Sequence, residues 1–573
     1  MHLIRRMLSP SLAAALGAAA VGGTVGATAI MSGAHAATQF PVTGLPGFGQ
    51  VVVDKAANRV FVSEGTNASS SNSTTPAQGI VVADLSGNYL TTIDEGTGAE
   101  GLTLAPDGKL YAALSTAGEV AQIDPTTYSE TDYPLPTGDV PEHVAAQSGK
   151  VWVSYNTGVG QIGDITPGAA SSFQRDSVLS SIGWDSPPLL AADPSNGGTV
   201  VAVSQSIASF NVSGATPAII ADSNSLPASC GWAVTSIAVL PGGQQFTTAC
   251  GNASTTSDPV FSTTDLSVQS ASYATPDGSG AVAVAPDGAV ATGGSTALST
   301  GTQPPDVNVF SAGGTTPAQS YTEGETGIDG GISLAPGGLA WGDSTVLAAV
   351  MALAPGDPGA TYQLRVITYP LLAQSAIAVS NPGLSPLGSA ISVSGVLTVN
   401  GAAAPGQTVT ISRSTSGGTP VQVGQATTDS YGVFTISDTP SALGTYTYTA
   451  SFAGDSATAP ATDTETATVF DSAQITLKIP STVTSNQSFE VSGTLTFGSG
   501  ASASGKTVTF TCVNSDFIRT TTTVTTGTGG KFSLQTKLST PDSYNCAASY
   551  TDSTVGVVTG LAQASLTVVK NSP

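Results

Sequence analysis

The sequence predicts an all-β protein: a seven-bladed β-propeller followed by two immunoglobulin-like β-sandwiches. Three observations carry this. Charged residues make up 9% of the chain and apolar residues 40%, too little charge and too much apolar surface for disorder. The abundance of Thr, Val and Gly suits strands and tight turns. A strand–turn–strand pattern then recurs through residues 46–370, and a longer period takes over after Ser375. At 573 residues the chain exceeds what one hydrophobic core can organise, so these two periods divide it.

Residues 1–36 read as a signal peptide. Arg5 and Arg6 supply the positive start, a weakly apolar run spans Leu12 to Ile30, and Ala34-His35-Ala36 predicts cleavage after Ala36. The predicted mature chain is secreted, extracellular or associated with the cell surface, and has no second apolar stretch of spanning length. The propeller is expected over 38–371. Its clearest repeats are Gly101-Leu102-Thr103-Leu104-Ala105-Pro106-Asp107-Gly108 and Ala281-Val282-Ala283-Val284-Ala285-Pro286-Asp287-Gly288. Taking Asn58, Gly108, Gly149, Gly197, Gly243, Gly288 and Gly338 as turn anchors gives spacings of 41 to 50 residues. That is the period of a four-stranded blade, and seven anchors predict seven blades. Gly or Asn supplies the positive φ a tight hairpin needs. The extended Thr38–Val42 segment is expected to pair into the last blade and close the ring.

Immunoglobulin-like domains are expected over 375–470 and 471–571. Val393-Ser394-Gly395 returns as Val491-Ser492-Gly493, and Gly406-Gln407-Thr408 as Gly505-Lys506-Thr507, at offsets of 98 and 99 residues. Each copy shows about seven alternating strands, as a sandwich requires. Through Gly444-Thr445-Tyr446-Thr447-Tyr448 and the following Gly454-Asp455, these copies resemble bacterial Ig-like repeat domains. The earlier Pro-Asp-Gly repeats resemble the propeller superfamily of NHL and YVTN repeats and streptogramin lyases. That resemblance implies the fold. The lyases it names look like metal-dependent enzymes using more than one histidine, and the predicted mature chain has only His143, so it does not imply their activity.

Four cysteines suit an oxidising compartment. Pairing within domains predicts Cys230–Cys250 and Cys512–Cys546. By the internal alignment Cys512 corresponds to Arg413 and Cys546 to Tyr448, so Arg413 is expected to lie against Tyr448. The formal charge of -23 argues against nucleic acid and anionic membrane surfaces as partners.

No cofactor is identified, no catalytic residue is assigned, and the presence of a metal is left open. The loops leading into the first strand of each blade carry Glu100, Glu142, His143, Asp185, Asp277 and Asp329, with Trp184 and Trp232 nearby. Carboxylates converging on the propeller axis would suit Ca²⁺. The plainer reading makes them separate, solvated turn residues. Trp184 and Trp232 could stack on a sugar ring, or simply pack. The leading expectation is a secreted binding or adhesion-type protein, probing an extracellular protein or glycan, with the Ig-like domains as spacer or second contact. Two other readings stand: a propeller hydrolase or lyase acting on a lactone or polysaccharide with two carboxylates, and a structural component of an extracellular coat.

Overall fold

The computed structural model describes residues 42–571 apart from 66–78, 95, 169–172, 227–229, 231–233, 251–255, 276–277, 295–305, 323–331, 354–360 and 553–557. The expected signal peptide and its cleavage point after Ala36 lie outside the described residues. The chain is all-β. Among the described residues only Ser177–Ser180 is α-helical, and Thr528–Gly530 forms one 3₁₀ turn.

Up to Thr368 the strands form propeller-like, four-stranded antiparallel sheets, seven among the described residues. The first consists of Val51–Asp54, Arg59–Ser63, Ile80–Ala83 and Tyr89–Ile93, paired in chain order. Five more repeat that order. The last takes Ile332–Asp343, Val346–Leu353 and Thr361–Thr368 from its own stretch, and its fourth strand, Thr43–Leu45, from the N-terminus. The leading strand of each sheet touches that of the next, and Val51–Asp54 touches Ile332–Asp343, so the order is circular. The described part of the closing segment begins at Val42, where the expected segment ends: Val42 O accepts from Leu364 N at 3.2 Å and Thr43 pairs with Gln363. Residues 38–41 lie outside the described set.

Strand alternation explains why so few long hydrophobic side chains suffice. In Leu110–Leu114, Leu110, Ala112 and Leu114 pack with Phe61, Ile80 and Val82 of the preceding sheet. The intervening Tyr111 and Ala113 pack with Val151 and Val153 of the following one. Successive residues point to opposite faces, and a neighbour covers each face, so every position is buried and small side chains keep the sheets close.

The turns follow the expected chemistry where the repeats are clearest. Gly108 has φ +78°, its N–H donates to Ala105 O at 2.9 Å, and Asp107 Oδ1 accepts from Lys109 N at 3.0 Å. Ala285 to Ala289 repeats this arrangement around Gly288. One anchor is corrected. Pro336-Gly337-Gly338 is not a hairpin turn, because Ile332–Asp343 runs straight through it with a bulge between Leu334 and Leu339. Proline offers no ladder donor and Gly337 sits at φ +71°, so the stretch bulges. The hairpin itself lies beyond Asp343, whose partner is Val346.

After Ser375 two further pairs of sheets follow with the same strand order. In the first pair, Ser375–Val379, Ile391–Val399 and Val433–Asp438 face a five-stranded sheet built around Thr408–Thr415, Gly444–Phe452 and Ala461–Phe470. Val393, Leu397, Ile411, Phe434 and Tyr448 fill the space between. In the second, Ala473–Lys478, Phe489–Phe497 and Lys531–Thr536 form the smaller sheet. Its larger sheet contains Thr507–Val513, Arg519–Thr525, Asp542–Asp552 and Val558–Val569. Both disulfides are present, Cys230–Cys250 and Cys512–Cys546. Cys512 stands opposite Cys546, and Arg413 stands opposite Tyr448 in the first copy. There Arg413 and the Tyr448 hydroxyl both donate to Asp438, at 2.6 and 2.7 Å. A polar triad holds in one copy the strands that a disulfide holds in the other.

The stretch joining the ring to these sheets is hydrogen-bonded on both sides. Tyr321 donates through its hydroxyl to Pro370 O at 2.7 Å. Ala373 N donates to Ala457 O at 2.9 Å, and Gln374 N to Asn400 Oδ1 at 2.9 Å.

Candidate functional site

The inner strands Ala99–Leu104 and Val140–Gln147 come together at their leading ends. Both are irregular at that level: the register slips between Ala99 and Leu102, and again between Pro141 and His143. A bulge bends the strand and re-aims the side chains beside it. Gly101 lets the two backbones cross. A Cβ there would stand 2.6 Å from Glu142 O and 2.7 Å from His143 Cα. The flanking residues are therefore brought side by side, Glu100 from one strand and Glu142 with His143 from the other.

Their electrostatics differ. Burial pushes the Glu142 carboxyl above its ordinary value; the neighbouring Glu100 charge adds to this and a hydrogen bond with Asn156 opposes it. His143 is half-buried, and desolvation alone holds its imidazole down to about 4, so the ring is neutral near pH 7. Glu100 is anchored through its backbone, where its carbonyl accepts from the Ser63 hydroxyl. Its carboxylate lies against Gly65. Glu64, nearly fully buried, accepts from Gly79 N at 3.1 Å.

The central passage between the inner strands is a cavity of about 370 Å³. Val51, Leu102, Val144, Leu190, Ile237 and Val282 line it, one from each of six sheets. Most residues lining it carry apolar side chains, and their backbone groups supply polar surface. Asp193 lines it too, but that carboxylate is committed to a turn, accepting from Ser195 N at 2.9 Å and Gly197 N at 3.0 Å. The two carboxylates that meet stand at the leading ends of their strands, outside this lining.

The other sequence candidates separate. Asp185 is exposed. Trp184 is buried, packed with Trp152 and Phe210, and its Nε1 donates to Leu179 O at 2.9 Å, so its ring offers no stacking surface to a sugar. Trp232, Asp277 and Asp329 lie outside the described residues. Among the described residues no three Asp, Glu, His or Cys side chains are grouped to hold a metal ion, so the described part of the set does not build the oxygen cage that Ca²⁺ takes.

Two groupings escaped the sequence reading. Glu130 and Asp132 alternate along one strand, opposite Ile123 and Ala121, with Glu119 on the partner strand. These three meet Asp94, which follows the last strand of the preceding sheet, and the carboxyls of Asp94, Glu119 and Glu130 are all raised, first by loss of solvent and also by the Asp132 charge, while a hydrogen bond with Glu130 opposes the rise at Asp94. The i, i+2 spacing of Glu130 and Asp132 was the readable signal. The second is Asp258, fully buried opposite Tyr273. It accepts from the Ser279 hydroxyl, which itself accepts from Cys250 N at 2.7 Å. Its other oxygen has no hydrogen-bond partner, and burial pushes its carboxyl up to about 8. Nothing in the local sequence marks it, because its partners come from distant strands.

No protein-family model matches this sequence, and no curated protein sequence does either. Among solved structures, a streptogramin B lyase is similar at 13% identity and a TM-score of 0.40, over 58% of this chain and 96% of that one. The β-propeller domain of Cps50 from Myceliophteria thermophila is similar at 11% identity and a TM-score of 0.37, over 56% of this chain and 97% of that one. A tetra-tandem repeat from the extending region of a large adhesion protein is similar at 14% identity and a TM-score of 0.22, over 78% of this chain and 95% of that one.

Proposed function

We propose that the chain is a secreted binding protein. Its residues 38–371 form a seven-bladed propeller, and 375–470 and 471–571 are Ig-like sandwiches that serve as spacer or second contact. The ligand, an extracellular protein or glycan, meets the end of the ring where Glu100, Glu142 and His143 stand. One observation carries this reading: two bulged inner strands cross at Gly101 and bring the Glu100 and Glu142 carboxylates within each other's field on a rigid scaffold, with the His143 backbone at the crossing. Rigid elements hold such groups more accurately than loops do. Two disulfides fit an oxidising, extracellular setting.

The test is binding of the mature chain to arrays of extracellular proteins and glycans, repeated with Glu100→Gln and Glu142→Gln. The expected result is a captured ligand whose affinity falls about tenfold or more in either variant, the scale of a lost charge-assisted contact. Capture that is indifferent to both substitutions, or no capture at all, overturns it.

A second reading, a hydrolase or lyase of a lactone or polysaccharide, draws on the raised carboxyl of Glu142 beside Glu100. A carboxyl raised by burial is suited to donate a proton. Turnover of such substrates, abolished in Glu142→Gln, would favour it over simple binding.

A further inference from the structure

The two C-terminal sandwiches repeat one another in strand order and core, yet they diverge on the outer face of the larger sheet. In the first copy that face carries short hydroxyl side chains, among them Ser414, Thr447, Thr449 and Thr464, paired across neighbouring strands. In the second copy the matching positions are Val513, Asn545, Ala547 and Gln563. Two amide side chains replace two threonines, and a small alanine lies between Thr511 and Gln563. The result is a shallow groove of about 450 Å³, lined by Thr511, Arg519, Asn545, Ala547, Gln563 and Ser565.

Charge separates the copies as well. Residues 375–470 hold one basic residue against five acidic ones, whereas 471–573 hold six against five, in a chain of formal charge -23. The one cation of the first copy, Arg413, is tied to Asp438. Arg519 is exposed, stands opposite Val513 at the edge of the groove, and has no ion-pair or hydrogen-bond partner among the described residues.

The turn leading into Arg519 displays an aromatic ring. Phe517 is 88% exposed, at φ +61°, a left-handed conformation that a bulky residue keeps only when its surroundings impose it. Here Asn514 Oδ1 accepts from Ile518 N at 2.8 Å, and the Asp542 carboxylate accepts from the Ser515 hydroxyl at 2.7 Å.

We propose that this groove binds an acidic polysaccharide, a chain of sugars carrying carboxylates. Hydroxyl and amide groups match sugar hydroxyls, which both donate and accept. A guanidinium fork matches a sugar carboxylate in two parallel hydrogen bonds. An exposed aromatic ring offers the apolar face of a sugar a flat partner. A basic-rimmed apolar patch for a protein would need more than this groove supplies, since its lining is mostly polar. The inference rests on the reading of the chain as a binding protein but uses a surface remote in sequence from Glu100 and Glu142. Loss of binding in Arg519→Ala with Glu142→Gln unaffected, or the reverse, tells the two apart.

The experiment is calorimetric titration of the full mature chain with polygalacturonate, using neutral dextran and polyglutamate as comparators. The expected result is binding to polygalacturonate that weakens as salt rises. It should fall about tenfold or more in Arg519→Ala, fall less in Asn545→Ala, and stay unchanged in Lys531→Ala, which removes the same charge from the opposite sheet. Thermal unfolding of each variant confirms that these surface changes leave the fold intact. Four outcomes overturn the proposal: no binding to polygalacturonate; dextran binding equally well; polyglutamate binding equally well; or Lys531→Ala weakening binding as much as Arg519→Ala.

Discussion

A single buried carboxyl couples this protein to pH in a way its surface charge does not. Asp258 is fully buried and its pKa is pushed up to about 8, against an ordinary 3.8. Between those values the native state holds a proton that the unfolded state has released. Stability contributed there is present below the lower value and is lost as pH rises through the higher one. His143 works with the opposite sign: desolvation lowers it from 6.5 to about 4, so its contribution is present above the upper value and is lost as pH falls towards the lower. The window from about pH 6.5 to 8.5 therefore excludes His143, while Glu130, also pushed up to about 8, contributes there with the same sign as Asp258. The unfolding midpoint of the wild type is expected to fall across that window, and Asp258→Asn, which stays neutral, should make the fall shallower, leaving the part that Glu130 contributes. An equal slope in both proteins would contradict this assignment. None of it was legible in the sequence, where Asp258 is one acidic residue among 38 and Ser279 lies a whole sheet away. His143 stands out in the sequence as the sole histidine beyond the expected signal peptide, but its desolvation is not readable there.

At the scale of elements, the crossing of inner strands is the feature that positions the site. Gly101 opens one of the repeats, and its spacing from the turn at Gly108 is legible in the sequence. Its second role depends on the neighbouring strand, whose backbone passes within van der Waals reach of the missing side chain. Gly101→Ala would drive a methyl into the Glu142 carbonyl and His143 Cα. Overpacking of this kind costs about 1–3 kcal/mol, and the backbone can relieve it only by moving Glu142. Urea titration should show that loss, and ligand binding at the ring should weaken with it. Unchanged stability would mean that the strands have room to separate. The Pro336-Gly337-Gly338 stretch teaches the converse lesson. Its composition matched the turn signature, but Leu339, Ala340 and Trp341 continue the ladder with Ala349, Ala348 and Leu347, and burial of Leu339 and Trp341 holds the strand together through a bulge.

Over the whole molecule, closure is the dominant constraint. The last sheet of the ring is complete only when Thr43–Leu45 joins it, which makes the first described strand and one of the last in the ring a single unit. Val42 and Leu45 are buried there, worth about 1.5–3 kcal/mol each when fully covered. A chain beginning after Leu45 should unfold at a lower temperature in its first transition, and a peptide spanning 38–47 added in trans should restore part of the loss. No change on truncation would show that the ring holds without its closing strand. The division of labour between sequence and fold follows from the range of the forces involved. Periodicity, turn chemistry and the internal repeat act over a few residues, so the all-β class, the repeating sheets, the Cys512–Cys546 bond and the facing of Arg413 on Tyr448 could all be read along the chain. Burial, proton sharing and the meeting of side chains depend on which distant strands become neighbours. Only the tertiary structure could therefore bury Trp184, set Asp185 apart, join Glu100 to Glu142, and leave Arg519 unpaired over a groove.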